Sequence, residues 1–251
     1  MGISLSTKVR RPSYYELRNS EEYFNRYEIE AGNPLLLPQY TTDLSYSLQY
    51  KRFRFGMNYQ WIKDYVMSNN LVLQGNPLIV KSQPFNKPHY SAFGANVSYN
   101  ATIGFWEPYC YASIMQTFLD IHDMNGMRVN GQKPYVEVSV NNYFNLKNDF
   151  MPYVFMAYNT TGDLREYNVK EKFLLSFGIG KHFLKNSLYL RLNVNNVLGI
   201  KEIETRYGSN YFFEKERFKD NRNISLMLRY VFNNKKKYKG NSAASEEINR
   251  L

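Results

Sequence analysis

Three histidines (His89, His122, His182) and one cysteine (Cys110) are the residues best suited to metal or nucleophilic chemistry. His122 lies beside Asp120 and Asp123, a spacing that could gather three ligands in one loop. Zinc normally takes three or four assembled ligands, and a loop tip of solvated polar residues accounts for the cluster more simply. Cys110 and a distant histidine could form a nucleophile pair, yet Cys110 stands between Tyr109 and Tyr111, where a small packing residue is the plainer reading. A single cysteine excludes an internal disulfide and any multi-cysteine metal site. No serine sits in a glycine-flanked nucleophile motif, and no acid–histidine constellation recurs across the loops. The sequence therefore predicts no catalytic residue, no cofactor and no metal site, and the chain reads as a non-enzyme.

Aromatic residues are the other candidates. The segment Arg11–Gln39 holds Tyr14, Tyr15, Tyr23, Phe24 and Tyr27, and Arg206–Asn221 holds Tyr207, Tyr211, Phe212, Phe213 and Phe218. Rigid aromatics on long loops suit recognition of sugars, peptides or chelates. They would also pack on one another as a lid that touches no ligand. The two readings stand side by side, and no ligand-binding residue is assigned.

What positions these residues follows from an apparent contradiction in composition. The 251 residues are 43% hydrophobic and 17% aromatic, yet mean hydropathy is −0.54. That apolar content is too high for a disordered chain. No run approaches the roughly 20 apolar residues of a membrane helix. The opening MGISLSTKVRR lacks the apolar core and cleavage site of a signal peptide. Net charge is +10, spread along the chain with no basic stripe interleaved with stacking aromatics, which rejects nucleic acid as a partner.

Period-two patterning resolves the contradiction. Ile224, Leu226, Leu228, Tyr230 and Phe232 occupy alternate positions, as do Leu188, Leu190, Leu192 and Val194. The same spacing recurs in Phe173, Leu175, Phe177 and Ile179; in Val136, Val138 and Val140; and in Leu44, Tyr46, Leu48 and Tyr50. Phe93, Ala95, Val97, Tyr99 and Ile103 form a further series. Alternate residues of a strand share one face, so this is a chain of strands. The intervening residues are Ser, Asn, Gln, Thr and Gly, with scattered Arg54, Glu137 and Arg191.

The connections alternate too. Short turns are expected near Lys51–Arg52, Gly104–Glu107, Lys147–Asp149 and Lys185–Asn186. Long polar connections are expected at Arg11–Gln39, Gln74–Lys87, Asp123–Lys133, Thr160–Val169 and Arg206–Asn221. Outer-membrane barrels are built this way, with short periplasmic turns, long external loops, an apolar exterior and a polar lumen. Aromatics near strand ends (Tyr50, Phe53, Tyr59, Trp61, Phe105, Trp106, Tyr109, Phe150, Tyr153, Phe232) fit the girdles of such a barrel. The fold class predicted is all-β: an antiparallel transmembrane β-barrel sheet of about ten strands. Residues 1–232 form the strands and loops, and 233–251 a basic, flexible periplasmic tail whose Lys235–Lys237 run could touch anionic headgroups. In the last strand, Ile224, Leu226, Leu228 and Tyr230 are assigned to lipid, and Ser225, Met227 and Arg229 to the interior.

Four segments resemble the β-barrel of TonB-dependent receptors, particularly the outer-membrane β-barrel family abundant in Bacteroidetes. RPSYYEL at Arg11–Leu17 is similar to the family's strand-to-loop exit. GNPLLLPQYTTDLSYSLQY at Gly32–Tyr50 resembles its GNP-x-L-x-P element, with Gln39 in place of the usual glutamate. LNVNNVLGIK at Leu192–Lys201 is similar to its penultimate strand, and RNISLMLRYVF at Arg222–Phe232 to its last. The resemblance implies an integral protein of the bacterial outer membrane, in contact with its lipid, that serves uptake of a siderophore, oligosaccharide or peptide. It further implies an N-terminal plug domain, a TonB energising complex acting through that plug, and a surface lipoprotein as partners. The sequence has no counterpart of the plug, and roughly 22 strands make a full receptor barrel. The chain is therefore expected to be the C-terminal portion of a larger barrel, an open curved sheet when alone. Ladder bonds between the neighbourhoods of Leu5 and Leu228 would mark a closed small barrel instead. The alternatives to a receptor are a structural or adhesin-like barrel without transport and, behind it, a barrel enzyme.

Overall fold

The computed structural model describes residues 1–73, 76–122, 128, 130, 132–200, 202–207, 212–217 and 222–232. In chain order its strands are β1 (Gly2–Arg10), β2 (Glu21–Asn25), β3 (Glu28–Ala31), β4 (Gln39–Tyr50), β5 (Phe53–Leu73), β6 (Asn76–Asn100), β7 (Trp106–Phe118) and β8 (Tyr135–Phe144). They continue as β9 (Phe150–Asn159), β10 (Gly162–Leu164), β11 (Tyr167–Val169), β12 (Lys172–Phe183), β13 (Leu188–Asn195), β14 (Glu202–Tyr207), β15 (Phe212–Arg217) and β16 (Asn223–Tyr230). One helical turn, α1 (Tyr14–Leu17), follows β1.

Ten strands form one antiparallel wall in the order β1-β4-β5-β6-β7-β8-β9-β12-β13-β16. A separate sheet runs β10-β11-β14-β15, and β2 and β3 attach to the wall through a parallel β3–β6 pairing.

Register gives the wall two opposite characters. Leu48, Phe55, Val97, Ala112, Val138, Tyr158 and Phe173 lie in one row across seven strands. One residue along each strand, Gly2, Ser47, Gly56, Asn96, Ser113, Glu137, Asn159 and Lys172 form the opposite row. A one-residue step separates the two faces, as strand geometry requires. The apolar face is uncovered: Leu5 is 68% exposed, Leu226 71%, and Phe55, Ile114, Phe177 and Leu192 each about 40% or more. An exposed apolar surface running across ten strands is far beyond what water tolerates on a soluble domain. The last strand keeps the assigned register: Leu226 pairs with Leu192, and Ser225 with Asn193.

The short connections fall at 51–52, 101–105, 145–149 and 184–187, all at one end of the wall. Positive φ at Lys51, Gly104, Asn148 and Asn186 tightens them. Long connections occupy the other end. Several expectations change in detail. The segment Gln74–Lys87 is no loop: β5 and β6 run on as a long hairpin, Val72 still pairing with Val80, and only 74–75 lie outside the described residues. β6 carries Pro84 and Pro88 within this extension, above the last β6–β7 pair, Ser91 with Phe118. Ile103 belongs to a turn, bridged to Trp106, because β6 ends at Asn100. Arg11–Gln39, Thr160–Val169 and Arg206–Asn221 contain α1, β2, β3, β10, β11, the end of β14 and β15, short elements whose alternation is too brief to read. Tyr109 and Tyr153 leave the proposed girdle, since both lie in polar-face rows, opposite Asn141 and Gly178. Most of Asp123–Lys133 and all of the 233–251 tail lie outside the described residues.

β1 pairs only with β4, and β16 only with β13, among the described residues. No ladder joins Leu5 to Leu228, so the sheet is open.

Candidate functional site

At the long-loop end, Asp64 adopts a left-handed conformation (φ 55) inside β5, and the side chain of Asn86 donates to its carbonyl at 2.8 Å. That single residue inverts the alternation. Below it Ile62 lies on the polar face, and above it Tyr65 and Met67 join the same cluster with Tyr90, Ala92, Leu119, Ile121 and Phe85. Tyr65 and Met67 thereby extend the apolar patch on the polar face into a platform, in place of the Asp64 and Val66 that plain alternation would have put there.

The β10–β11 hairpin reaches across to this platform. Its base is tied by Asp163, which is fully buried: Lys133 donates its backbone N–H at 2.8 Å and Asn168 its amide at 2.7 Å. Thr117 on β7 donates to the Asp163 carbonyl at 2.9 Å. At the tip, Arg165 has φ 57 and Glu166 accepts from the Tyr65 hydroxyl at 3.0 Å. Burial, reinforced by the Glu166 charge, pushes the Tyr65 phenol well above its ordinary pKa and keeps it a donor.

A second arm, between β1 and β4, crosses the extended β5–β6 hairpin. Ser13 and Glu16 form a capping box on α1. Burial works against the Glu16 carboxylate, but the Ser13 backbone N–H, the Ser13 hydroxyl and Arg10 outweigh it and hold its pKa below the usual value. Arg18 carries its guanidinium carbon over the Tyr15 ring, 3.6 Å from the centroid, and donates to the Glu30 carbonyl at 3.2 Å. Tyr15 in turn donates to the Glu30 carboxylate. Gly32 is required here, because a Cβ would collide with the Arg18 backbone. Gln83 and Asn33 then fasten the arm to β6 at 2.8 and 3.0 Å.

Between arm, hairpin tip and platform lies a cavity of about 300 Å³, with Arg10, Tyr15, Arg18, Glu30, Met67 and Glu166 in its lining. Arg18 keeps its Nε and Nη1 buried without a hydrogen-bond partner. Unmet buried donors cost roughly 1–3 kcal/mol each, so the guanidinium is prepared to donate to oxygen acceptors that enter the cavity.

Of the residues read from sequence, Tyr15 belongs to this cavity, whereas Tyr14, Tyr23, Phe24 and Tyr27 are solvent-exposed on the arm. Tyr207, Phe212 and Phe213 lie on β14 and β15, while Tyr211 and Phe218 fall outside the described residues. His89 stacks on Trp61, and His182 lies on the polar face at the opposite end of the wall. Asp120 pairs with Arg128, and Asp123 is outside the described residues. Cys110 sits on the apolar face between Tyr99 and Val140. No three of the described His, Cys, Asp or Glu residues cluster as a metal ion would need. Sequence reading missed Arg10, Arg18, Glu30, Tyr65 and Glu166. The Ser13–Glu16 capping spacing was the one local signal that the first long segment is ordered.

Residues 1–230 match the outer membrane protein β-barrel family. No curated protein sequence matches the chain. Among solved structures, the siderophore receptor PirA of Pseudomonas aeruginosa superposes with a TM-score of 0.60 at 10% identity, over 92% of this chain and 39% of the receptor. The ferric enterobactin receptor of the same organism gives 0.56 at 11% identity, over 92% and 38%. PirA of Acinetobacter baumannii gives 0.56 at 12%, again over 92% and 38%. The chain thus spans about two-fifths of the receptors it resembles, with their fold. In that frame the apolar face meets outer-membrane lipid and the short turns lie at the periplasmic end.

Proposed function

Because this chain belongs to the outer membrane protein β-barrel family and builds a charged cavity at its external end, we propose that it is the wall of a TonB-dependent uptake receptor. The ligand is a siderophore, an oligosaccharide or a peptide, and the chain performs no bond-making chemistry. The observation that carries this reading is the cavity itself. Side chains from β1, α1, β3, β5, β6 and the β10–β11 tip converge on the polar face at the long-loop end, where an incoming solute arrives first. Arg18 supplies unmet donors, Tyr15 and Met67 supply apolar contact, and the Glu166 tip closes one side. Such a cavity is of small-ligand size. A plug domain, the TonB complex acting through it, and a surface lipoprotein complete the assembly in this reading.

The test uses the full chain refolded in detergent. Equilibrium dialysis against ferric enterobactin, maltoheptaose and tetra-alanine should give saturable binding of one probe. Arg18→Gln should weaken that binding about tenfold, the loss of a charged hydrogen bond. A folded chain that retains none of the three, or an Arg18→Gln chain that binds like the parent, favours a structural barrel without transport.

A further inference from the structure

Two guanidiniums, Arg10 and Arg18, and three carboxylates, Glu16, Glu30 and Glu166, line the external cavity. Much of that charge is already matched. Arg10 pairs with Glu16. Glu30 lies 3.8 Å from Arg18 Nη2 and accepts from the Tyr15 hydroxyl. Two groups are left over, one of each sign. On the arm, Arg18 turns its Nη2 toward Glu30 and, at 4.0 Å, toward Glu22, while its Nε and Nη1 stay buried and unmet. On the hairpin tip, Glu166 makes no ion pair among the described residues. It accepts from Tyr65, a neutral phenol that orients the carboxylate without offsetting its charge. Arg165, beside it in the chain, hydrogen-bonds to Tyr90 instead.

These two groups discriminate among ligand classes. A polyanionic iron chelate would set its charges against three carboxylates, one more than the guanidiniums can match. A neutral sugar would offer hydroxyls to both groups and a countercharge to neither. A ligand carrying one carboxylate and one ammonium answers both: its carboxylate takes charge-assisted bonds from Arg18, and its ammonium gives Glu166 the cation it lacks. Ala31, Val66, Met67 and Pro84 make much of the remaining lining apolar, which suits small side chains between the two ends. We propose, on the footing of the uptake reading above, that the external cavity selects a zwitterion, a short peptide with both ends free. Its carboxylate meets Arg18 and its ammonium meets Glu166, so that one ligand bridges the arm and the β10–β11 hairpin.

The probes are tri-alanine and tetra-alanine, each also prepared N-acetylated or C-amidated so that one charge at a time is removed. Equilibrium dialysis uses the full chain refolded in detergent at pH 7, where both free ends of a peptide are charged. At least one free peptide should bind, and either block should weaken it at least tenfold. Glu166→Gln should weaken the free peptide at least tenfold and leave the N-acetyl form unchanged. Arg18→Gln should weaken the free peptide as much and leave the amide unchanged. Glu171→Gln removes the same charge outside the cavity, where Glu171 accepts from Tyr158 at 3.3 Å, and should change binding less than twofold. Circular dichroism checks each variant for retained β structure, and the blocked peptides on the parent chain carry the test if a variant does not fold. Blocked peptides that bind as tightly as free ones, or equal losses from Glu166→Gln and Glu171→Gln, overturn the zwitterion and leave the uptake reading standing. Binding of ferric enterobactin or maltoheptaose in place of either peptide has the same consequence. A folded chain that binds no probe at all overturns both.

Discussion

The Tyr65 hydroxyl, on β5, donates to the Glu166 carboxylate at the β10–β11 tip, across 3.0 Å and 101 residues of chain. Stacking of Tyr65 on Tyr90, with centroids 4.9 Å apart, fixes the donor from below. One end of the hairpin is clamped by buried Asp163, and the other is held over the cavity that Arg18 lines by this bond and by the hydrogen bond of Arg165 to Tyr90. The hairpin is a strap across the external mouth, anchored firmly at the base and more lightly at the tip.

Tyr65→Phe should therefore loosen the tip, which the Arg165–Tyr90 hydrogen bond still holds, while leaving the base in place. A hydrogen bond to a charged acceptor contributes about 1.5–3 kcal/mol. Limited trypsin cleavage after Arg165 should accelerate correspondingly, with no change at sites in the wall. The bond also has a pH signature. The strapped phenol titrates above the ordinary tyrosine value of about 10, so its stabilisation is complete below that value and is lost as pH rises beyond it. Tyrosinate absorbance should show a late-titrating component that Tyr65→Phe reduces, the buried Tyr90 phenol, also raised by burial, supplying the remainder.

The first arm responds to acid rather than base. Glu16 is held below its ordinary value of 4.5, so its contribution is present above that pH and is lost as the carboxylate takes up a proton below it. Hydrogen exchange at Tyr14–Leu17, corrected for intrinsic rate, should rise between pH 6 and pH 3. Glu16→Gln should exchange quickly throughout and show no such pH dependence.

The wall was legible from sequence because alternation is a local property: Leu188–Leu190–Leu192 and Asn193–Asn195 declare their faces without knowledge of any partner strand. The extension of β5 and β6 was not, since Asp64 shifts the phase of the pattern and Pro84 and Pro88 read as loop. Nor was the cavity. Arg18, Glu30 and Glu166 are single charges within polar segments, and only the parallel β3–β6 pairing and the strap bring them together. Alternation finds faces, but it has no signal for contacts made between loops that are far apart in sequence.

Packing on the polar face makes a sharp distinction between two glycines of β12. A Cβ on Gly178 would strike the Tyr153 ring and the Leu192 carbonyl oxygen, and that carbonyl belongs to the ladder. A Cβ on Gly180 would meet only the outer part of the Tyr189 ring, which can swing away. Gly178→Ala should cost about 1–3 kcal/mol, the range for overpacking, and Gly180→Ala should cost less. Urea titrations of the refolded chain in liposomes would rank them. Equal midpoints would mean that β13 yields as easily as a side chain does.

The last strand tests the assignment of faces to lipid and interior. Leu226 pairs with Leu192 and is 71% exposed on the apolar face. Its neighbour Ser225 pairs with Asn193 and accepts a hydrogen bond from that amide at 3.1 Å. In lipid an arginine at mid-bilayer costs about 2–4 kcal/mol on the outward face, whereas the polar face is wetted or covered by protein. Leu226→Arg and Leu228→Arg should therefore reduce the fraction of chain that inserts into liposomes by an order of magnitude or more. Ser225→Arg loses one hydrogen bond and should insert nearly as the parent does. Because adjacent residues on a strand face opposite ways, the two outcomes exchange if the register is displaced by one. Heat-modifiable mobility after folding into vesicles reads the ranking directly: tolerance of Leu226→Arg together with failure of Ser225→Arg would reverse the assignment of every strand in the wall.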